Sequence, residues 1–139
     1  MKLLTVQATI QAPIEKVWQL WTTPVHVMGW NFASPDWHCP QAKNDLELGG
    51  EFHYLMAARD GSFEFDFWGT FQNIVQGQLL EIKLGDGRMM TVRFETSEDA
   101  TLVTEIFEPE NQNPEEMQQM GWQMILDNFK HYVESTSSL

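Results

Sequence analysis

The feature that most constrains this chain is a long C-terminal stretch with helical periodicity. It begins with Asn113-Pro114, in which Asn113 is predicted to be the N-cap and Pro114 the first helical residue. Glu116 follows three residues after the cap, as in a capping box. A helix that continues to about Glu134 would be roughly 30 Å long at about 1.5 Å per residue.

The apolar residues of this helix form two stripes. Met117, Met120, Gly121 and Met124 make one stripe, Trp122, Leu126, Phe129 and Val133 make the other, and Ile125 and Tyr132 lie between them. A helix that is apolar over so wide a surface must be buried against other elements. A twisted sheet is the only partner that the rest of the chain offers.

Strand patterns dominate the rest of the chain. Segments that alternate in polarity are residues 4–10, 51–58, 62–73, 79–84, about 90–94 and about 101–107. Asp60-Gly61 and Asp86-Gly87 are predicted hairpin turns, because Asp and Gly tolerate the positive φ that such turns require. The last five segments therefore read as an antiparallel meander.

Two short helices are predicted between the first strand and the meander. Pro13 suits the first position of one helix, and Thr23-Pro24 begins another that reaches about Met28. The segment from Gly29 to Asn44 is predicted to be irregular. This order predicts an α+β arrangement in a single domain of 139 residues. A curved antiparallel sheet of about six to seven strands would wrap around the long C-terminal helix, with the two short helices after the first strand.

The net charge bears on which partners the chain can bind. Lys and Arg number 8 and Asp and Glu number 20, which gives a net charge of −12. A surface of this sign repels phosphates, so neither nucleic acid nor membrane insertion is expected. Residues 1–59 carry 4 basic and 5 acidic side chains, whereas residues 60–139 carry 4 and 15. This acidic C-terminal half is predicted to be a solubilising face or, alternatively, a surface for a protein partner.

The N-terminus and the cysteine content bear on location. Residues 1–7 contain polar side chains too early for a signal peptide, and no apolar run approaches ~18 residues. The single Cys excludes an internal disulfide framework. These features predict a cytoplasmic location.

Three runs of sequence resemble a known superfamily. They are VQATIQAPIEKVWQLWTTPVHVMGW at residues 6–30, DLELGGEFHYLMAARDGSFEFDFWGTF at residues 45–71, and the Gly-Trp pair within the last helix. Together they resemble the START-like helix-grip (SRPBCC) superfamily. Within it they are similar to the group related to the C-terminal domain of the heat-shock-protein-90 ATPase activator. The resemblance covers essentially the whole chain and implies a cavity between sheet and helix, open at one end.

A cavity of this kind suits a small lipophilic molecule. Aromatic and methionine side chains supply flat and adaptable apolar surface for a hydrophobic or aromatic ligand. The predicted lining residues are Trp30, Phe32, Trp37, Phe52, Tyr54, Met56, Phe65, Phe67, Met90, Phe94, Met120 and Met124. The alternative is that several of them simply fill the core. The expected function is binding of such a ligand as carrier, sensor or scavenger, without a cofactor.

Residues 36–40 form the most unusual segment of the chain. Asp36 and His38 would share one face of an extended backbone, where a carboxylate can tune an imidazole as a general base. Trp37 and Cys39 would then point into the interior, where the thiol is either reactive or an inert core group. An ordinary hydrogen-bonded loop is the alternative interpretation.

Two charged residues of the late strands are candidate anchors for a ligand head group. Glu105 and Arg93 could each point inward, since a buried charge needs a partner, or outward into solvent. The register of the last strand stays open, because its odd-numbered and even-numbered apolar residues compete for the inside. Two alternative functions stay open. The first is a cyclase or dehydratase-type enzyme that uses the same cavity, with Asp36, His38 and Glu105 as its candidate catalytic residues. The second alternative, a chaperone-linked interaction module, needs none of them.

No metal site is expected. The candidate ligands lack the paired spacing of zinc sites. They are His26, His38, Cys39, His53 and His131.

Overall fold

The computed structural model describes residues 2–136 and contains a seven-stranded sheet. The elements are β1 (Leu4–Ile10), α1 (Ile14–Thr22), α2 (Pro24–Val27), β2 (Trp37–Asn44), β3 (Glu51–Ala58), β4 (Glu64–Val75), β5 (Leu79–Leu84), β6 (Met89–Ser97), β7 (Ala100–Phe107) and α3 (Glu115–Ser135). The strand order is β1-β7-β6-β5-β4-β3-β2, and neighbouring strands are antiparallel. The predicted α+β helix-grip class is confirmed. Within residues 2–136, none of the helices combines the length and the hydrophobicity that crossing a membrane requires.

The register of β7 resolves which of its residues face inward. Val103, Glu105 and Phe107 are buried, whereas Leu102 and Ile106 are only half-buried. The odd-numbered residues therefore lie on the concave face of the sheet, which α3 covers. Glu105 is placed on that face as well, because side chains alternate strictly along a strand.

Strand β2 falls in the segment that was predicted to be irregular. It forms the edge of the sheet and pairs only with β3, and its register shifts between His38 and Gln41. Pro40 lies at this shift, and proline is tolerated at edges and bulges because it has no N–H for the ladder. The irregularity breaks the period-two pattern, so the sequence gives no strand signal here.

Helix α3 begins at Glu115, one residue later than predicted. Pro114 occupies the N-cap position and no side chain caps the helix, so the predicted capping role of Asn113 is wrong. Gln118 supports the helix start instead. Its Nε2 donates to the carbonyl oxygens of Asn113 (2.8 Å) and Glu110 (3.0 Å), and its Oε1 accepts from the Glu110 N–H (2.9 Å).

The two apolar stripes of α3 have different environments. Leu126, Phe129 and Val133 are fully buried against the rest of the core. The methionine stripe faces outward, with Met117 60%, Met120 64% and Met124 41% exposed. Both stripes have helical spacing, so periodicity alone does not tell which of them faces the sheet.

Candidate functional site

A cavity of about 510 Å³ lies between the concave face of the sheet and α3. Strands β2 to β7, helix α3 and residues in and after α1 contribute to its wall. The wall reaches the protein surface at the exposed residues Gln112 and Asn113 of the β7–α3 loop, and at Phe65, which is 43% exposed. The volume lies within the range of about 300–1,000 Å³ that small-molecule sites occupy.

Aromatic rings form much of the cavity wall. Trp21 and Trp30 pack with ring centroids 4.8 Å apart. Trp122 of α3 stacks on Phe107 at 3.8 Å and meets the edge of Phe67 at 6.1 Å. The aromatic lining residues are Trp21, Trp30, Phe52, Tyr54, Phe65, Phe67, Phe71 and Trp122. This wall offers flat apolar surface to a ligand from both the sheet and the helix.

One carboxyl group faces this apolar wall. Glu105 is only 6% exposed and lines the cavity, with Val92 of β6 and Val6 of β1 as its neighbours in the sheet. Its carboxyl has no hydrogen-bond or salt-bridge partner within residues 2–136, and burial raises the pKa of Glu105 to about 8. The acid is therefore mostly protonated at neutral pH when the cavity is empty.

Two more polar groups of the wall have unused hydrogen-bonding capacity. Asn44 donates from Nδ2 to the Thr22 carbonyl oxygen at 2.6 Å, and its buried Oδ1 has no partner in the part of the chain that the structure describes. Tyr54 lines the cavity, and burial raises the pKa of its hydroxyl, which stays neutral. Asn44 and Tyr54 belong to β2 and β3, whereas Glu105 belongs to β7. Polar groups therefore meet a ligand from two sides.

Charged groups at the cavity mouth are engaged by their neighbours. Arg88 donates from Nε to Asp86 Oδ2 at 2.7 Å and from Nη1 to the Glu108 carbonyl oxygen at 3.1 Å. Glu110 accepts a hydrogen bond from the backbone N–H of Asn113 at 2.8 Å. These bonds hold the β5–β6 hairpin and the β7–α3 loop at the rim of the cavity.

The predicted lining residues divide into two groups. Those on the wall are Trp30, Phe52, Tyr54, Met56, Phe65, Phe67 and Met90. Those away from the wall are Phe32, Trp37, Phe94, Met120 and Met124. The prediction that these last five residues line the cavity is wrong. A binding role for the first group stays a prediction.

Each residue away from the wall has a physical reason for its position. Phe94 packs under α1, with its ring 5.2 Å from Trp18 and 5.9 Å from Trp21. Trp37 packs against the exposed ring of Phe63 at 6.1 Å, next to the β3–β4 hairpin. Phe32 lies half-buried in the segment after α2. The two methionines belong to the outward stripe of α3.

The candidate catalytic residues do not come together. Asp36 is exposed and His38 half-buried, and neither lines the cavity. Cys39 is buried, and burial raises the pKa of its thiol to about 11, so it is an uncharged core group rather than a nucleophile. Arg93 is exposed on the outer face of β6. Glu105 alone among these candidates faces the cavity.

Several wall residues were not predicted from the sequence. Trp21 of α1 and Trp122 of α3 lie on apolar helix faces, and helical spacing gives no sign that such a face borders a cavity. Phe71 continues the alternation of Phe65 and Phe67 along β4, which was a usable signal. Asn44 lay in the segment without a strand pattern. Within residues 2–136, no three His, Cys, Asp or Glu side chains form a group that could hold a metal ion.

Comparisons with known proteins agree with this architecture. The family model for Activator of Hsp90 ATPase homolog 1-like protein matches residues 11–134. The solution structure of the AHSA1-like protein from Aeromonas hydrophila has a TM-score of 0.91 and 42% identity, and the match covers 96% of this chain and 93% of that one. Chr148 from Cytophaga hutchinsonii has a TM-score of 0.82 and 49% identity, with 94% and 91% covered.

A more distantly related structure shares only the fold with this chain. The crystal structure of CV1439 from Chromobacterium violaceum has a TM-score of 0.85 at 18% identity, and the match covers 98% of this chain and 100% of that one. No curated protein matches the chain. Any inference about function therefore depends on the cavity and on the residues that line it.

Proposed function

The chain belongs to the Activator of Hsp90 ATPase homolog 1-like family, and on that premise we propose that it binds a small hydrophobic or aromatic molecule between the sheet and α3. The observation that carries this proposal is the cavity of about 510 Å³ with its aromatic wall. Apolar enclosure supplies affinity, and a few polar groups at fixed positions supply orientation. Glu105, Tyr54 and Asn44 are the polar groups of this wall with capacity left for a ligand.

The size of the cavity sets the expected affinity. A ligand that buries about 250 Å² of apolar surface gains roughly 6 kcal/mol at ~25 cal/mol per Å². The loss of translational freedom reduces this gain, and each well-made hydrogen bond adds to it. We therefore expect dissociation constants on the order of tens to hundreds of micromolar for simple aromatic probes.

The test compares two substitutions on neighbouring turns of α3. Ile125 lines the cavity, whereas Met120 is 64% exposed on the outward stripe. Ile125→Trp should place an indole ring in the cavity and obstruct it, whereas Met120→Trp should leave it open. Native mass spectrometry of freshly purified protein, followed by organic extraction, should show a bound molecule in the wild type and in Met120→Trp. Ile125→Trp should lack it.

A pyrene probe extends the test to protein that purifies empty. Energy transfer from Trp21, Trp30 and Trp122 on the wall should report its binding. Equal binding by both variants would place the site elsewhere on the molecule. Absence of any bound mass and of any probe binding would overturn the proposal.

The position of Glu105 favours a second function, a cyclase or dehydratase-type enzyme. A buried acid whose pKa is about 8 can donate a proton to a leaving hydroxyl group near neutral pH. As water leaves, the resulting Glu105 carboxylate would accept the proton lost from the adjacent carbon, and the aromatic wall would orient the substrate. The extracted molecule tests this function, because conversion by the wild type and not by Glu105→Gln would support an enzyme. Recovery of the same unchanged molecule from both proteins would contradict it.

A further inference from the structure

We propose that the ligand is a hydrophobic amine, an aromatic or otherwise flat apolar body that carries one cationic nitrogen, and that the Glu105 carboxylate is its counter-ion. This inference rests on the proposed function of the cavity and specifies its ligand class. It follows from three observations: a buried acid without a partner, a wall of aromatic faces, and the charges around the mouth.

The first observation is the isolation of Glu105. A buried carboxyl group destabilises a fold unless it is paired, and within residues 2–136 nothing pairs with this one. Val92 and Val6 flank it in the sheet, so no neighbouring strand supplies a donor. The side chain lines the cavity, where the open volume leaves room for a ligand group. A cation in that volume would provide the missing partner.

The second observation is the aromatic wall. The faces of Trp, Tyr and Phe rings attract cations through their quadrupoles, and the attraction grows when the cation is desolvated. Trp122 comes from α3, and Tyr54 and Phe67 come from the sheet. An apolar wall also strengthens the attraction between a carboxylate and an ammonium group, because the local dielectric constant is low.

The third observation is that, within residues 2–136, the only basic residue on the wall is Arg88, which is already paired. Arg88 is bound to Asp86 at 2.7 Å, and Arg93 is exposed on the outer face of the sheet. A fatty acid or other anion would pass Glu110 on the wall and enter a protein whose net charge is −12. The charges therefore favour a cation over an anion of the same shape.

Binding of an amine must release a proton. The empty cavity holds Glu105 mostly as the neutral acid, since its pKa is about 8. The carboxyl proton leaves to solvent as the ammonium group arrives, and the pair that remains is neutral overall. The other ionisable groups on the wall are Tyr54, Arg88 and Glu110. Burial keeps Tyr54 neutral, and Arg88 and Glu110 are held by the contacts at the rim.

The test uses three fluorescent probes of nearly equal shape: pyrenemethylamine, pyrenemethanol and pyrenecarboxylic acid. We expect the amine to bind about tenfold more tightly than the alcohol at pH 8, and the acid to bind most weakly. Titration calorimetry in two buffers of different ionisation enthalpy should show net release of protons on binding of the amine at pH 7. The affinity for the amine should rise between pH 6 and pH 8.

Matched variants assign the effect to one carboxyl group. Glu105→Gln should weaken amine binding on the order of tenfold and abolish proton release, with alcohol binding changed less than about twofold. Glu95→Gln makes the same substitution at an exposed position on β6 and should change neither amine binding nor proton release. Equal affinity for amine and alcohol, or undiminished amine binding by Glu105→Gln, would overturn the inference and leave the proposed function standing. Failure of all three probes to bind would overturn both.

Discussion

At the scale of the residue, the position of Glu105 departs most from what stability alone favours. An apolar side chain of similar size would cost nothing to bury, whereas this carboxyl loses its hydration and gains no partner within residues 2–136. Its place on the cavity wall links that cost to the site. A group of this kind should therefore reveal itself in the stability of the empty protein.

The pH dependence of unfolding tests that link. The carboxyl has a pKa of about 8 in the native state and an ordinary value near 4.5 when exposed. Between these values the native state holds a proton that the unfolded state has lost, so a rise in pH lowers the free energy of unfolding. We expect the stability advantage of Glu105→Gln over the wild type to grow by up to ~1.4 kcal/mol per pH unit between about pH 5 and 8.

The difference in stability between Glu105→Gln and the wild type excludes the contributions of the other titrating groups. His53 lies on the outer face, 2.7 Å from Asp66 and 2.8 Å from Glu51, and both hydrogen bonds raise its pKa, that of Asp66 most. The contribution of His53 to stability declines as the pH rises through its raised pKa. Because His53 is present in both proteins, this contribution cancels in the difference. Urea unfolding at several pH values measures the difference, which should level off above pH 8. A constant difference across the range would mean that Glu105 is not a protonated buried acid.

At the scale of the element, the strands and the long helix were predictable and their fine contacts were not. The alternation in β1 and β5 matches the observed burial, and the periodicity of α3 predicts an amphipathic helix. Strand β2 escaped prediction because Pro40 and a register shift interrupt its pattern at the sheet edge. The loop contacts of Gln118 replaced the expected cap on α3. Such features depend on neighbours that are distant in the chain.

The residues of the candidate site, like the elements, were predictable only in part. Residues of β3 and β4 reached the wall as expected, because their face follows from alternation. Met120 and Met124 did not, because the sequence does not tell which stripe of α3 faces the sheet. Phe94 is apolar and inward, yet α1 covers it. Inward orientation is thus readable from the sequence, whereas the division between filled core and open cavity depends on how the helices lie over the sheet.

The close approach of β3, β4 and β5 at Gly69 provides a prediction at this scale. A Cβ atom at Gly69 would lie 2.8 Å from Ile82 Cγ2, 2.9 Å from the Lys83 carbonyl oxygen and 3.0 Å from Phe52 Cε2. Because a backbone oxygen cannot easily move away, Gly69→Ala should destabilise the protein by about 1–3 kcal/mol. The midpoint of urea unfolding measures this change.

The same substitution elsewhere serves as the control. Gly121 lies in α3, and a Cβ atom there would meet nothing within 4 Å. Gly121→Ala should therefore stabilise the protein by about 0.5–1 kcal/mol, since alanine is the better helix former. Equal effects of the two substitutions would contradict the tight approach of the strands at Gly69.

At the scale of the whole molecule, charge and cavity act together. The net charge of −12 attracts cations over distances that no single contact covers. Arg88 stands at the rim as a local positive charge, but Asp86 is bound to it, and Glu110 lies on the same rim. The field at the entrance should therefore have the sign of the whole molecule.

The salt dependence of the association rate distinguishes the electrostatic field of the whole protein from the local field of Arg88 at the rim. Screening shortens the reach of the field to about 8 Å at physiological ionic strength and lengthens it to about 30 Å at 0.01 M salt. Association of pyrenemethylamine should therefore slow several-fold as salt rises through that range, whereas association of pyrenemethanol should hold constant. Stopped-flow energy transfer from the wall tryptophans measures both rates. If added salt accelerates the amine, the Arg88 guanidinium governs the entrance, and the net charge of the protein plays no part in ligand capture.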